Sequence, residues 1–162
     1  PEVLMDGTHT IEYAREVTER ALHAVFNELH AQRVMLEGMV LKPNMVIAAQ
    51  DCPKQASREQ VAEWTVKTLK RFVPGAVPGI AFLSGGQDEG EATEHLNLMN
   101  KMGPLPWKLG FSYGRALQDS SLKTWGGKAA NVQAAQRALA HRSKMNWAAS
   151  TGKYTAEMEK AA

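Results

Sequence analysis

Residues 34–43 read VMLEGMVLKP, a compact apolar run that a proline ends. The length of this run and its terminal Pro43 favour a buried β-strand over residues 34–41 rather than a helix. The one carboxylate in the run, Glu37, would need a partner if it were buried, so we expect a structural salt bridge there. Lys42 follows the run directly and lies at the carboxyl end of the predicted strand.

Helical and extended patterns alternate on both sides of this run. Residues 10–32 carry apolar side chains at three- and four-residue steps, as an amphipathic helix does. A capping box at Ser57 and Gln60 opens the next helix. The later predicted elements are strands over 79–83 and 109–113, a helix over 88–102, and a helical stretch to about residue 145 that breaks near Gly126.

This alternation predicts an α/β fold, because parallel strands are joined by crossover helices. The three predicted strands could form a small open sheet, or they could be the last three strands of a TIM (β/α)₈ barrel. We expect one domain over residues 1–149, made of about three βα units and C-terminal helices, and a weakly structured tail over residues 150–162.

Composition narrows the class of protein. The chain has 162 residues, of which 44% are hydrophobic and 22% are charged, as in ordinary globular proteins. A formal net charge of +2 gives no field that would favour nucleic acid as a partner. The single cysteine, Cys52, predicts a reducing compartment such as the cytoplasm. We find no apolar run of the roughly 20 residues that a membrane span needs, and no signal peptide.

Lys42 is the first candidate for chemistry. Active sites of parallel α/β folds lie at the carboxyl ends of the strands, and a lysine held there among apolar neighbours loses part of its preference for charge. A neutral amine can attack a carbonyl and form a Schiff base, which then withdraws electrons from the adjacent C–C bond. The alternative is a strand-end lysine that simply reaches water, and the spacing alone leaves both open.

Two loops are candidates for binding an anion. Ser84, Gly85 and Gly86 lie between a predicted strand and a helix, where backbone N–H groups and the positive end of the helix suit a phosphate. Gly114 and Arg115 follow the next strand, where a guanidinium can grip a phosphate through two hydrogen bonds. Taken singly, the first could be a tight turn and the second a surface arginine. Together with Lys42 they imply a phosphorylated carbonyl substrate.

The five histidines show no metal-ligand spacing, so we predict no metal and no other cofactor.

The sequence around Lys42 and at the two anion-binding loops resembles class I (Schiff-base) fructose-bisphosphate aldolase. LEG at 36–38 followed by LKPNM at 41–45 resembles the lysine segment of that family, and FLSGGQ at 82–87 and FSYGRAL at 111–117 resemble its phosphate-binding segments. The resemblance extends in order over essentially the whole chain.

The resemblance implies the C-terminal half of a (β/α)₈ barrel and a lyase activity of glycolysis and gluconeogenesis. The reaction would be the reversible cleavage of fructose 1,6-bisphosphate into dihydroxyacetone phosphate and glyceraldehyde 3-phosphate. Lys42 would form the Schiff base, and Glu2 would lie near it in a supporting electrostatic role. Phosphate would be bound by the four loop residues Ser84, Gly85, Gly114 and Arg115. The family's usual assembly is a homotetramer.

The chain departs from the family in its extent. It opens on Pro1, one residue after the expected position of the family's catalytic glutamate, and roughly the first five barrel strands have no counterpart. We therefore expect the chain to need the N-terminal half of the barrel as a partner, and to be inactive and marginally folded alone. Two other interpretations stay open: a non-catalytic fragment that acts as an interaction or scaffold module, and a stand-alone α/β binding domain.

Overall fold

The structure is a computed structural model that describes residues 1–160. Helices and strands alternate along the chain, which has five α-helices and three strands within that range. They are α1 (Ile11–Ala31), β1 (Val40–Leu41), α2 (Arg58–Phe72), β2 (Gly79–Phe82), α3 (Glu89–Lys101), β3 (Lys108–Phe111), α4 (Arg115–Trp125) and α5 (Val132–Ser150).

The three strands form one parallel sheet in the order β1-β2-β3. One face of the sheet is buried: Leu41, Ile80, Phe82 and Leu109 are each at most 4% exposed and join the same hydrophobic core as the helices. The other face is open, as Val40 shows with 63% exposure. The predicted alternation and the predicted parallel pairing are therefore confirmed.

Local signals in the sequence fix where the helices begin and end. The Ser57 hydroxyl accepts the N–H of Gln60 at 3.2 Å, which caps α2 as the capping box predicted. Helix α4 ends where Gly126 adopts a left-handed φ of 56°, a conformation that costs glycine little. This is the predicted break, although α5 then continues to Ser150, beyond the predicted end near residue 145.

The strand predicted over residues 34–41 is wrong for most of its length. Residues Leu36–Gly38 form a 3₁₀ turn, and only Val40–Leu41 pair with β2. Glycine weakens a strand interior, and the turn leaves Glu37 exposed instead of burying its carboxylate. No salt bridge to Glu37 is present in the described residues, so the expected structural ion pair is also wrong.

The tail is more ordered than the sequence predicted. Tyr154 is 6% exposed, and its backbone N–H and carbonyl both bond to the side chain of Asn97 on α3 at 3.1 Å. Residues Ala156–Lys160 then form a 3₁₀ helix, from which Glu159 bonds to Arg142 on α5. The tail is therefore attached to α3 and α5, and its last two residues lie outside the described range.

None of the described helices is both long enough and apolar enough to cross a membrane.

Candidate active site

The segments that follow the three strands lie side by side at one edge of the sheet. The Leu83 N–H donates to the Pro43 carbonyl at 3.1 Å, and the Ser112 N–H donates to the Phe82 carbonyl at 2.8 Å. These two bonds continue the parallel ladder beyond the strands. They bring the segment that carries Lys42 next to the loop after β2, and that loop next to the one after β3.

Lys42 projects from the open face of the sheet. Leu41 is buried, whereas Lys42 and Val40 on either side of it are exposed. The parallel register puts Lys42 level with Ala81 and Gly110, so neither neighbouring strand places a large side chain beside the amine. Burial of the amine, which the sequence led us to expect, is not provided by the residues that the structure describes.

The loop after β2 is a tight turn built on two glycines. The N–H of Gln87 donates to the carbonyl of Ser84 at 3.1 Å, which closes a four-residue turn. Gly85 and Gly86 occupy its centre with φ of 57° and 89°, values that residues with a side chain rarely adopt. Two successive left-handed glycines have no side chains of their own, which suits the close approach of an anion to their N–H groups. Leu83 packs beside Gly85, and Met5 packs beside Gly86.

Glu2 borders this turn. Its Oε1 lies 3.9 Å from the position that a Cβ on Gly85 would take. The N–H of Val3 donates to Oδ1 of Asn44 at 3.1 Å, which holds the start of the chain beside the segment that follows Lys42. No ion pair joins Glu2 to Lys42 within residues 1–160, and the carboxylate lies beside the turn.

Arg115 is the first residue of α4 and follows Gly114, which offers no side chain to cap the helix. No side chain caps the first turn, although the N–H of Leu117 donates to the Gly114 carbonyl at 3.1 Å. A helix N-terminus without a side-chain cap favours negative charge. Arg115 is exposed and lines a cleft of 450 Å³ together with Gly86 and Gln87. The same cleft is also lined by the acidic residues Asp88, Glu89 and Asp119 and by Lys123. The loops after β2 and β3 thus share one cleft.

The N-terminus of α3 contributes less than the sequence suggested. The Asp88 carboxylate accepts the N–H of Glu91 at 2.8 Å and caps the helix, and Glu89 adds a further carboxylate to the first turn. These acidic groups already occupy the positive end of α3 and reduce its attraction for an anion, so the phosphate-binding role expected of this helix end stays a prediction. Further attraction for an anion comes from the glycine turn, from Arg115 and from the start of α4.

The arrangement therefore combines an amine at the end of β1 with anion donors on the next two loops. No group of three or more histidine, cysteine, aspartate or glutamate side chains within residues 1–160 is placed to hold a metal ion.

A protein-family model described as fructose-bisphosphate aldolase class-I matches residues 1–162. The chain belongs to this family. Among curated aldolases, the one from Dictyostelium discoideum is 55% identical over 157 residues, which are 97% of this chain and 44% of that protein. The cytosolic fructose-bisphosphate aldolase 5 of Arabidopsis thaliana is 56% identical over 96% of this chain and 43% of its own length.

Solved aldolase structures support the same fold. The fructose-bisphosphate aldolase of Plasmodium falciparum, crystallised in complex with TRAP and a small-molecule inhibitor, matches with a TM-score of 0.93 and 50% identity. The match covers 96% of this chain and 45% of that one. The three-stranded sheet is thus part of a TIM barrel, and the chain spans less than half the length of the aldolases it matches.

Several residues that shape the site were not found from the sequence. Gln87 closes the glycine turn, Asn44 holds the start of the chain, and Asp88 blocks the end of α3. The Asp88 cap had a signal, since an acidic residue just before a helix is a common cap. The other two depend on contacts between distant segments, which local patterns do not report.

Proposed function

We propose that this chain supplies the Schiff-base lysine and one phosphate site of a class I fructose-bisphosphate aldolase. The reaction is the reversible cleavage of fructose 1,6-bisphosphate into dihydroxyacetone phosphate and glyceraldehyde 3-phosphate. The observation that carries this proposal is the placement of Lys42 at the same sheet edge as the glycine turn and Arg115. One carbonyl compound with a phosphate can then reach all three.

In the proposed mechanism, the neutral amine of Lys42 attacks the ketone carbonyl of the sugar phosphate, and a water molecule leaves as the imine forms. A base takes the proton of the C4 hydroxyl, and the C4 oxygen becomes the carbonyl of the aldehyde product. The C3–C4 bond, one carbon beyond the imine carbon, breaks as its electron pair moves to the protonated imine and leaves an enamine on Lys42. The remaining enamine is protonated, and water then hydrolyses the imine to free the ketone product and Lys42.

The anion donors orient the substrate for this step. The N–H groups of Gly85 and Gly114, the Ser84 hydroxyl and the Arg115 guanidinium would hold a phosphate on the ketone side, because ionised phosphate binds such donors strongly. Glu2 would lie at the edge of the site, near Lys42, in a supporting electrostatic role.

The full activity needs more of the barrel than these residues provide. Three parallel strands do not close a barrel, and Lys42 is exposed on the open face. We propose that the missing strands come from the N-terminal half of the same barrel, which would enclose the amine and supply groups for proton transfer. Assembly as a homotetramer and a cytoplasmic location complete the proposal; the single Cys52 and the cytosolic Arabidopsis relative support that location.

Covalent trapping tests the nucleophile. The chain is incubated with dihydroxyacetone phosphate, alone and with a polypeptide that covers the part of the Dictyostelium aldolase it does not match, and then reduced with borohydride. We expect peptide mass spectrometry to find the adduct at Lys42, and to find it increased when the second polypeptide is present.

The matched control is Lys108, an exposed lysine on the same face of the sheet. It is the first residue of β3 and therefore lies away from the strand ends that carry the candidate site. The variant Lys42→Arg should lose the adduct, whereas Lys108→Arg should keep it. An adduct at Lys108 equal to that at Lys42 would mean unselective reaction of exposed amines. No adduct under either condition would contradict the proposed enzyme and favour an interaction or scaffold module.

A further inference from the structure

A buried histidine lies directly behind the glycine turn. His95 on α3 is 1% exposed, and its Nδ1 lies 2.6 Å from Oε1 of Gln87. The Nε2 of Gln87 donates to the carbonyl of Ser84 at 3.0 Å, and the backbone N–H of Gln87 donates to the same carbonyl at 3.1 Å. A continuous chain of hydrogen bonds therefore connects α3 with the first residue of the turn.

The direction of each bond in this chain is determined. A carbonyl oxygen only accepts, so the Gln87 amide nitrogen must face Ser84 and the Gln87 amide oxygen must face His95. The proton of a neutral His95 then has to be on Nδ1. Burial, with a smaller effect of the positive charge on Arg58, lowers the pKa of His95 to about 4, so the ring is neutral near neutral pH.

The bond to the Ser84 carbonyl also sets the direction of the Gly85 N–H. The two groups belong to one planar trans peptide and point in opposite directions. Holding the carbonyl towards Gln87 therefore turns the N–H of Gly85 away from the Gln87 side chain and from His95 behind it. A turn with two left-handed glycines has much conformational freedom to lose, so such an anchor is needed to keep one orientation.

We infer that His95 and Gln87 are positioning residues of the phosphate site: they hold the Gly85 N–H in the direction in which it donates to the substrate phosphate. Both side chains are at most 4% exposed, so the proposed role is exerted through the turn. The inference rests on the proposed function, because it concerns the same phosphate site. It assigns a role to a histidine that would otherwise be only a buried member of the α3 face.

The experiment measures binding of inorganic phosphate by NMR, following the backbone amide of Gly85 in the 162-residue chain combined with the polypeptide that covers the part of the Dictyostelium aldolase it does not match. The replacement His95→Leu removes the Nδ1 donor, whereas His95→Asn keeps an N–H close to that position. We expect His95→Leu and Gln87→Met to weaken the phosphate affinity about tenfold, the effect of one misplaced charge-assisted bond. We expect His95→Asn to stay within about threefold of the wild type.

The control for general damage to α3 is Asn97→Leu. Asn97 lies on the same helix as His95, and the replacement removes its buried hydrogen bonds to Tyr154 in the tail without changing the glycine turn. It should leave the phosphate affinity unchanged. The ¹⁵N shifts of His95 provide a second readout and should show the Nδ1–H tautomer in the wild type.

The outcomes separate the two hypotheses. If the wild-type Gly85 amide does not respond to phosphate, the proposed phosphate site is wrong and the positioning role falls with it. If the wild type binds phosphate and folded His95→Leu binds equally well, only the positioning role is overturned. The same holds if His95→Asn is as weak as His95→Leu, or if His95 carries its proton on Nε2.

Discussion

At the scale of single residues, Arg142 shows how one buried charge joins three parts of the molecule. Its side chain is 6% exposed and donates to both carboxylate oxygens of Glu159 at 2.9 and 2.7 Å. It also donates to the Thr93 hydroxyl on α3 at 3.1 Å and lies 3.6 Å from the Glu89 carboxylate. One guanidinium thus connects the tail, α5 and the first turn of α3.

Removing this cation should destabilise the fold strongly. Arg142→Met leaves the partly buried carboxylates of Glu89 and Glu159 without their cation, which in buried pairs costs about 3–5 kcal/mol. Urea unfolding at pH 7 measures the change. Arg137→Met, an exposed arginine on the same helix, is the control and should stay within about 0.5 kcal/mol. Equal effects of the two replacements would contradict the structural role of the buried ion pair.

The buried His95 predicts how stability depends on pH. Its pKa falls from 6.5 to about 4 on folding because burial disfavours the charged ring. Between these values the unfolded chain binds more protons, so stability falls as the pH is lowered. The loss from pH 7 to pH 5 should be about 2 kcal/mol, and it should disappear in His95→Asn.

The pH window separates this effect from that of Glu159. Burial alone would raise the pKa of Glu159, but hydrogen bonds from Arg142 and Tyr154 outweigh it and lower the pKa below 4.5. The stability that Glu159 contributes is therefore present above pH 4.5 and is lost only as the pH falls below it. Glu91 acts in the opposite sense, because burial raises its pKa above 4.5 and the folded chain then binds more protons as the pH falls. Urea midpoints at pH 7 and pH 5 are therefore compared between the wild type and His95→Asn, and a slope that His95→Asn leaves unchanged would refute the assignment.

At the scale of elements, α2 tests how much a helix owes to its first residue. The Ser57 hydroxyl satisfies one of the N–H groups that a helix leaves unpaired at its start. Ser57→Ala should lower the free energy of unfolding by about 1 kcal/mol, whereas Ser57→Asp keeps an acceptor and should cost much less. Chemical denaturation of both variants measures this, and equal losses would mean that the cap is not what stabilises α2.

The elements also show what the sequence could predict. Helix α3 and strand β2 were predicted to within a residue at each end, and α2 begins where its capping box predicted, because caps and apolar periodicity are local signals. The strand prediction over residues 34–41 was wrong because an apolar run does not indicate that Leu36–Gly38 form a 3₁₀ turn. The ordered tail was missed because Tyr154 and Glu159 are held by α3 and α5, through contacts that no local pattern encodes.

The same limit applies to the candidate site. The strand-end positions of Lys42, Ser84 and Arg115 follow from the alternation of elements, whereas Glu2 was found only through the resemblance to a family. The hydrogen bond between His95 and Gln87 joins residues eight positions apart, one on α3 and one in the loop before it, so no local pattern predicts that they are partners. Chemistry at strand ends is predictable from topology, but its supporting contacts are not.

At the scale of the whole molecule, the open face of the sheet predicts the behaviour of the 162-residue chain in isolation. Parallel sheets normally have both faces covered, yet Val40 is 63% exposed and the nearby Met35 is 71% exposed. We expect the isolated chain to self-associate as its concentration rises, and Val40→Glu to reduce this association. Tyr13→Glu, at a residue 52% exposed on α1, is the control and should have no effect. Sedimentation velocity over a concentration series decides: if the wild type stays monomeric throughout, or if both variants behave alike, the open sheet face is not a surface that needs a covering chain.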